Sequence, residues 1–82
     1  MRHEVTLLVR ADCHVCAAAR VDIARICAEL DVPWRVNDVD ADPRLRAEYG
    51  ELVPVILVDG REHGFWTVDE QRLRAVLHDV GG

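Results

Sequence analysis

The four residues Cys13-His14-Val15-Cys16 stand between a short apolar run, Val5 to Val9, and a longer stretch where apolar residues return every three or four positions. That placement constrains the fold more than any other feature of the chain. The apolar run reads as a strand. Behind the cysteines, Cys16, Ala19, Ile23, Ile26, Cys27 and Leu30 would line one face of a helix over Val15 to Leu30. Arg20, Asp22, Arg25 and Glu29 fall on its other faces, and Pro33 prevents its continuation. The cysteine pair is therefore expected where a strand hands over to a helix.

The remaining segments follow the same logic. Trp34 to Val39 alternates imperfectly and reads as a second strand. Asp42-Pro43 starts a short helix, with an acceptor at the cap and proline in the first turn, and Gly50 ends it. Val55 to Val58 is continuous and apolar, as a central buried strand would be. Asp59-Gly60 is a two-residue hairpin signal, so Arg61 to Phe65 is the returning strand. Thr67-Val68-Asp69-Glu70 fits a capping box. Val68, Gln71, Leu73, Val76, Leu77 and Val80 would then give the last amphipathic helix. The order β-α-β-α-β-β-α predicts an α/β fold, a mixed four-stranded sheet with three helices. Its first two strands should be parallel with a right-handed crossover, and its last two an antiparallel hairpin.

At 82 residues the chain supports one domain, 1–82, with no internal repeat or linker. Ten basic against fifteen acidic residues leave a net charge of −5, which argues against general nucleic-acid binding. The run Asp38, Asp40, Asp42 reads as a solvated loop, because no glycine or glutamate follows at calcium-loop spacing. No stretch approaches the ~20 apolar residues needed to span a bilayer, and the N-terminus lacks a signal-peptide pattern. The expected location is the cytoplasm, where thiols stay reduced, so three cysteines point to catalysis or metal rather than structural bridges.

Two cysteines at i and i+3 on a first helical turn lie within disulfide reach. The first would sit among unpaired backbone N–H groups at the positive end of the helix dipole, and both favour thiolate over thiol. A free thiol has a pKa near ~8.5, and a helix end accounts for roughly one unit of lowering. The expected chemistry is thiol–disulfide exchange: Cys13 attacks a disulfide, and Cys16, one turn inward, resolves the mixed disulfide. His14 has two readings, a group that stabilises the Cys13 thiolate or an exposed helical residue. Cys27 lies about 16 Å further along the same helix at ~1.5 Å per residue, too far to bridge to Cys16, and reads as a small core residue.

With Cys13-His14-Val15-Cys16 at a first helix and Val53-Pro54 opening the third strand, the sequence resembles the glutaredoxins, small members of the thioredoxin superfamily. The resemblance covers nearly the whole chain and implies a thioredoxin-like fold of glutaredoxin type. It implies a cis proline at Pro54 facing the redox pair, with Val53 offering a backbone edge to a bound peptide or thiol tripeptide. It implies a substrate-facing or thiolate-favouring role for Arg10, three residues before Cys13. Gly64 matches a glycine that helps hold glutathione in that family. The chain also departs from the pattern. No proline or glycine follows Cys13, and His63-Gly64-Phe65-Trp66-Thr67-Val68-Asp69 lacks the second glycine and the aspartate that follows it. Phe65 and Trp66 read either as an apolar substrate rim or as packing.

The expected partners are disulfide-containing proteins or low-molecular-weight thiols, with glutathione or an equivalent as a possible co-substrate and no bound cofactor. Neither nucleic acid nor membrane is expected, and nothing in the sequence demands a dimer, so a monomer is expected. Two other classes stay open. Cys13 and Cys16 would supply half of a metal or iron–sulfur site, although no second CxxC exists and His3, His63 and His78 are scattered. The alternative is an interaction module whose thiols do not turn over.

Overall fold

The computed structural model describes residues 3–78. Val80, expected in the last helix, lies outside them. Four strands form one sheet: β1 Val5–Val9, β2 Trp34–Asp38, β3 Val55–Val58 and β4 Arg61–Phe65. Three helices accompany them: α1 His14–Leu30, α2 Pro43–Tyr49 and α3 Glu70–Leu77. The spatial order of the strands is β2-β1-β3-β4. β1 runs parallel to β2, with Leu7 opposite Val36, and antiparallel to β3, with Leu7 opposite Ile56. β3 and β4 form the expected antiparallel hairpin, and both turn residues, Asp59 at φ 55° and Gly60 at φ 82°, take the left-handed conformation that a tight hairpin turn requires.

Successive strand residues face opposite sides of the sheet, and the two sides are filled unequally. One side packs Val5, Leu7, Ile56 and Val58 against Ala19, Ile23, Ile26 and Cys27 of α1 and Leu73 and Leu77 of α3. The other side buries Leu8, Val39 and Val55, with Leu45, Tyr49, Leu52, Val53 and Leu57 half-covered around them. Across the first face, an ion-pair network ties α3 to α1. Glu70 accepts from Arg25 at 2.7 and 3.1 Å and from Arg74 at 2.8 Å, and Arg74 also reaches Glu29.

Some boundaries differ from the sequence expectation, each for a local reason. β2 stops at Asp38, whose carboxylate accepts the Asp40 N–H at 2.8 Å and starts a 3-10 turn, Val39–Ala41, that turns Val39 into the core. α1 begins one residue early, at His14, because the Cys13 sulfur itself acts as the cap. α1 ends at Asp31 in a left-handed cap (φ 55°), with the Val32 N–H donating to the Cys27 carbonyl at 2.9 Å, two residues before Pro33. Gly50 closes α2 in a right-handed conformation rather than the left-handed one glycine commonly supplies. A Cβ there would lie 2.5 Å from the Arg46 carbonyl oxygen, so it is close approach that excludes a side chain. The cap of α3 is Asp69, not Thr67. Its carboxylate accepts the Arg72 N–H at 3.1 Å, while the Thr67 N–H turns back to the Phe65 carbonyl and leaves Thr67 outside the helix. Gln71, read as part of the apolar face, is exposed.

Candidate functional site

The parallel crossover from β1 into α1 places the cysteines at the carboxyl end of β1, the same end of the sheet at which the antiparallel β3 begins. Asp12 takes a left-handed conformation at φ 64°, a region aspartate tolerates better than most residues, and turns the chain from β1 toward α1. Cys13 follows with extended dihedrals and caps the helix, its sulfur accepting the Cys16 N–H at 3.2 Å. Cys13 and Cys16 are joined as a disulfide, with their α-carbons 5.2 Å apart. The two cysteines differ in exposure. Cys13 is half-exposed, whereas Cys16 is 4 % exposed and begins the buried face of α1.

The Val53–Pro54 peptide is cis, and Pro54 is buried at the start of β3. Val53 beside it is half-buried. The loop that carries this pair is held from two sides. Arg10, at the end of β1, donates to the Gly50 carbonyl at 3.2 Å and pairs with Asp40 at 3.4 Å. Its guanidinium thus ties the end of α2 and the 3-10 turn to the strand that leads into the cysteines. From the other side, the Trp66 N–H donates to the Pro54 carbonyl at 2.7 Å, and the indole N–H reaches the Glu51 carbonyl at 3.4 Å.

The other residues singled out in the sequence fall as follows. His14 is exposed as the first residue of α1. Gly64 lies within β4 opposite Ile56, and a Cβ there would meet nothing within 4 Å, so no neighbouring group requires glycine. Cys27 is 1 % exposed in the α1 face of the core, and burial pushes its thiol pKa up, which keeps it protonated. Asp38 and Asp42 cap local turns and Asp40 pairs with Arg10 and Arg46, so the acidic run is structural. Among the described residues, no group of three or more His, Cys, Asp and Glu side chains is placed to hold a metal. No helix among them is long and apolar enough to cross a membrane.

Two features escaped the sequence reading. His63 sits at an irregularity of the β3–β4 pairing, with its Nε2 buried and unpartnered, and burial lowers its pKa from the ordinary value. No sequence signal marks that irregularity. The second is the backbone at Trp66, which takes φ 73°, a conformation that bulky residues rarely adopt. The tight junction between β4 and α3 hints at a turn there, but tryptophan is not a residue from which a left-handed turn is read.

Comparison with known proteins agrees with this geometry. A model of the family described as Glutaredoxin-like domain (DUF836) matches residues 4–78. An uncharacterized protein of Mycobacterium tuberculosis is 46 % identical over 79 residues, covering 90 % of this chain and 81 % of that protein. The X-ray structure of a Xanthomonas protein (structural genomics target XcR50 from X. campestris) is 37 % identical, covers 90 % of this chain and 95 % of its own, and superposes with a TM-score of 0.72. Thioredoxin 1 of Thermosipho africanus, at 19 % identity, covers 96 % of this chain and 99 % of its own with a TM-score of 0.66, which shows a shared fold. The match to a glutaredoxin-like family model, with a cysteine pair at disulfide distance, supports a redox role. With nearly its whole length matched by the family model, the chain belongs to the glutaredoxin-like domain family.

Proposed function

We propose that the protein is a thiol–disulfide oxidoreductase in which Cys13 is the nucleophile and Cys16 the resolving thiol. The observation that carries this reading is the asymmetry of the pair, with one cysteine part-exposed at a helix cap and the other buried one turn behind it. The Cys16 N–H that donates to the Cys13 sulfur and the positive end of α1 both favour negative charge on that atom.

The cycle starts from the dithiol. The Cys13 thiolate attacks one sulfur of a substrate disulfide, forming a mixed disulfide and expelling the other substrate sulfur as thiolate. Cys16 loses its proton to solvent and attacks the Cys13 sulfur, releasing the second substrate thiolate. Two electrons have passed to the substrate, its two sulfurs leave as thiols, and the protein holds the Cys13–Cys16 disulfide. An external thiol, either a small-molecule thiol such as glutathione or a protein dithiol, restores the reduced pair. Val53, beside the cis Pro54, offers the adjoining backbone edge for the substrate. Arg10 acts through the loop it holds, its Nε and Nη1 donating to Asp40 and to the Gly50 carbonyl. The substrates in this reading are protein disulfides or mixed disulfides, met by a monomer in the cytoplasm.

The test is a pair of variants assayed with a model disulfide. Cys16→Ser accumulates a mixed disulfide visible by mass spectrometry, and Cys13→Ser gives neither adduct nor turnover. Equal residual activity in the two variants defeats the assignment.

A further inference from the structure

Two apolar side chains, one between the cysteines and one on the residue bonded to the proline loop, are left in solvent. Val15, between the two cysteines, is 51 % exposed, and Trp66 is 56 % exposed. Phe65 is also exposed and meets Trp66 edge to face, with ring centroids 5.0 Å apart. The segment that carries these aromatics borders both halves of the site. Trp66 is bonded to the proline loop through Pro54 and Glu51, while Thr67 and Val68 share a groove of about 180 Å³ with Val15, Ala18, Ala19 and Asp22 of α1.

The backbone at Trp66 makes this arrangement unusual. The Thr67 N–H returns to the Phe65 carbonyl at 2.9 Å, so Trp66 is the centre of a three-residue turn with φ 73°. Turns of that hand are rare and strained, and glycine enters them with the least strain. The chain instead holds a tryptophan there, with most of its indole turned to water. Strain of this kind persists where the surrounding structure over-determines it, and it concentrates at ligand-binding sites.

Charge narrows the occupant. Asp12 stands exposed immediately before Cys13, Asp22, which also pairs with Arg25, lines the groove, and Glu51, whose backbone carbonyl takes the indole N–H, is an exposed acidic residue of the proline loop. Arg10 is engaged by Asp40 and Gly50. An acidic substrate would meet carboxylates here, and an apolar one would cover Trp66 and Val15.

We propose that Trp66 is a specificity-determining residue that selects polypeptide disulfides whose cysteine is flanked by an apolar residue and not by an acidic one. This rests on the oxidoreductase reading above. The substrate chain would run along the Val53–Pro54 edge with its apolar neighbour against the indole, so that discrimination arises before the exchange of sulfurs.

The experiment uses two peptides, each holding one intramolecular disulfide and differing only beside the cysteine, leucine in one and aspartate in the other. Dithiothreitol resets the enzyme, and the ratio of kcat/KM values is read. The wild type should favour the leucine peptide by about tenfold or more, a discrimination of roughly 1.4 kcal/mol. Trp66→Gly should bring the ratio to within about twofold of unity while thermal stability is held or raised, because glycine relieves the turn. Trp66→Phe should keep most of the preference. If the glycine variant fails to fold, Trp66→Asn removes the indole with a residue that tolerates positive φ. A wild type that reduces both peptides equally, or a Trp66→Gly or Trp66→Asn enzyme that keeps the full ratio, overturns the inference and leaves the oxidoreductase reading standing. A wild type that reduces neither peptide and no small disulfide overturns that reading as well.

Discussion

The two faces of the sheet do different work. The face under α1 and α3 is thick, with Ile23, Ile26, Leu73 and Leu77 buried against Val5, Leu7, Ile56 and Val58. The face under α2 buries Leu8, Val39 and Val55, and α2 itself buries no residue. Hydrogen bonds carry more of the burden there: Arg10 to Gly50, Asp38 to Asp40, Asp42 to Arg44, and Trp66 to Glu51. The cysteine helix thus rests on the thick side, and the proline loop hangs from the thin side. One half of the site is held by apolar packing, the other by directional bonds. Stability and reactivity should therefore respond differently to changes on the two sides.

The largest expected effect is on the thick side. Ile23→Ala deletes a fully buried side chain beneath α1 and should cost about 2–5 kcal/mol in chemical denaturation. Leu45→Ala, on the half-buried surface of α2, should cost about 1 kcal/mol or less. Equal losses would mean that the contrast between the faces is wrong.

Arg10→Met sharpens the contrast on the thin side. It removes the tether to Gly50 and Asp40 but leaves the apolar stem. Its part-exposed ion pair predicts a stability change of about 1 kcal/mol or less. Disulfide reduction should nonetheless slow several-fold, because the loop carrying Val53 and Pro54 loses its anchor. An unchanged rate would show that the loop keeps its position without Arg10.

The smallest effect belongs to the ion-pair network across α1 and α3. Hydrogen bonds from Arg25 and Arg74 lower the Glu70 pKa to about 2, from an ordinary value of 4.5. A carboxylate depressed in the folded state contributes stability that is full above its unfolded pKa and lost as pH falls through its folded one. The wild type should therefore lose stability between about pH 4.5 and 2, and Glu70→Gln should show a shallower decline over that window. Identical slopes would remove Glu70 from the account.

Legibility in the sequence follows the contrast between periodic packing and directional bonds. β1, α1, β3 and the hairpin were readable because apolar periodicity and turn chemistry agree in them, and Asp59-Gly60 takes the left-handed turn expected of that dipeptide. The cysteine pair was readable because its placement between strand and helix is a matter of pattern. The caps and tethers are harder to read, on either side of the sheet. Asp38 and Asp69 look like ordinary surface acids until the geometry shows their carboxylates accepting the backbone N–H groups of Asp40 and Arg72. Thr67 matched a capping box, but the strained turn at Trp66 draws its N–H elsewhere. The tether at Arg10 leaves no mark in the sequence because its partners, Asp40 and Gly50, are 30 and 40 residues away in the chain. Long-range hydrogen bonds leave no periodic trace.

The central claim is that Cys13 and Cys16 form a reversible two-electron couple, with Cys13 its accessible member. It is tested most directly by equilibrating the protein in thiol–disulfide buffers of graded potential, quenching with an alkylating reagent and locating the label by mass spectrometry. The account predicts one cooperative transition in which Cys13 and Cys16 gain and lose label together, Cys27 outside the transition, and Cys13 labelling first in a timed series on the reduced protein. No transition at any potential, or faster labelling of Cys16 than of Cys13, would contradict it.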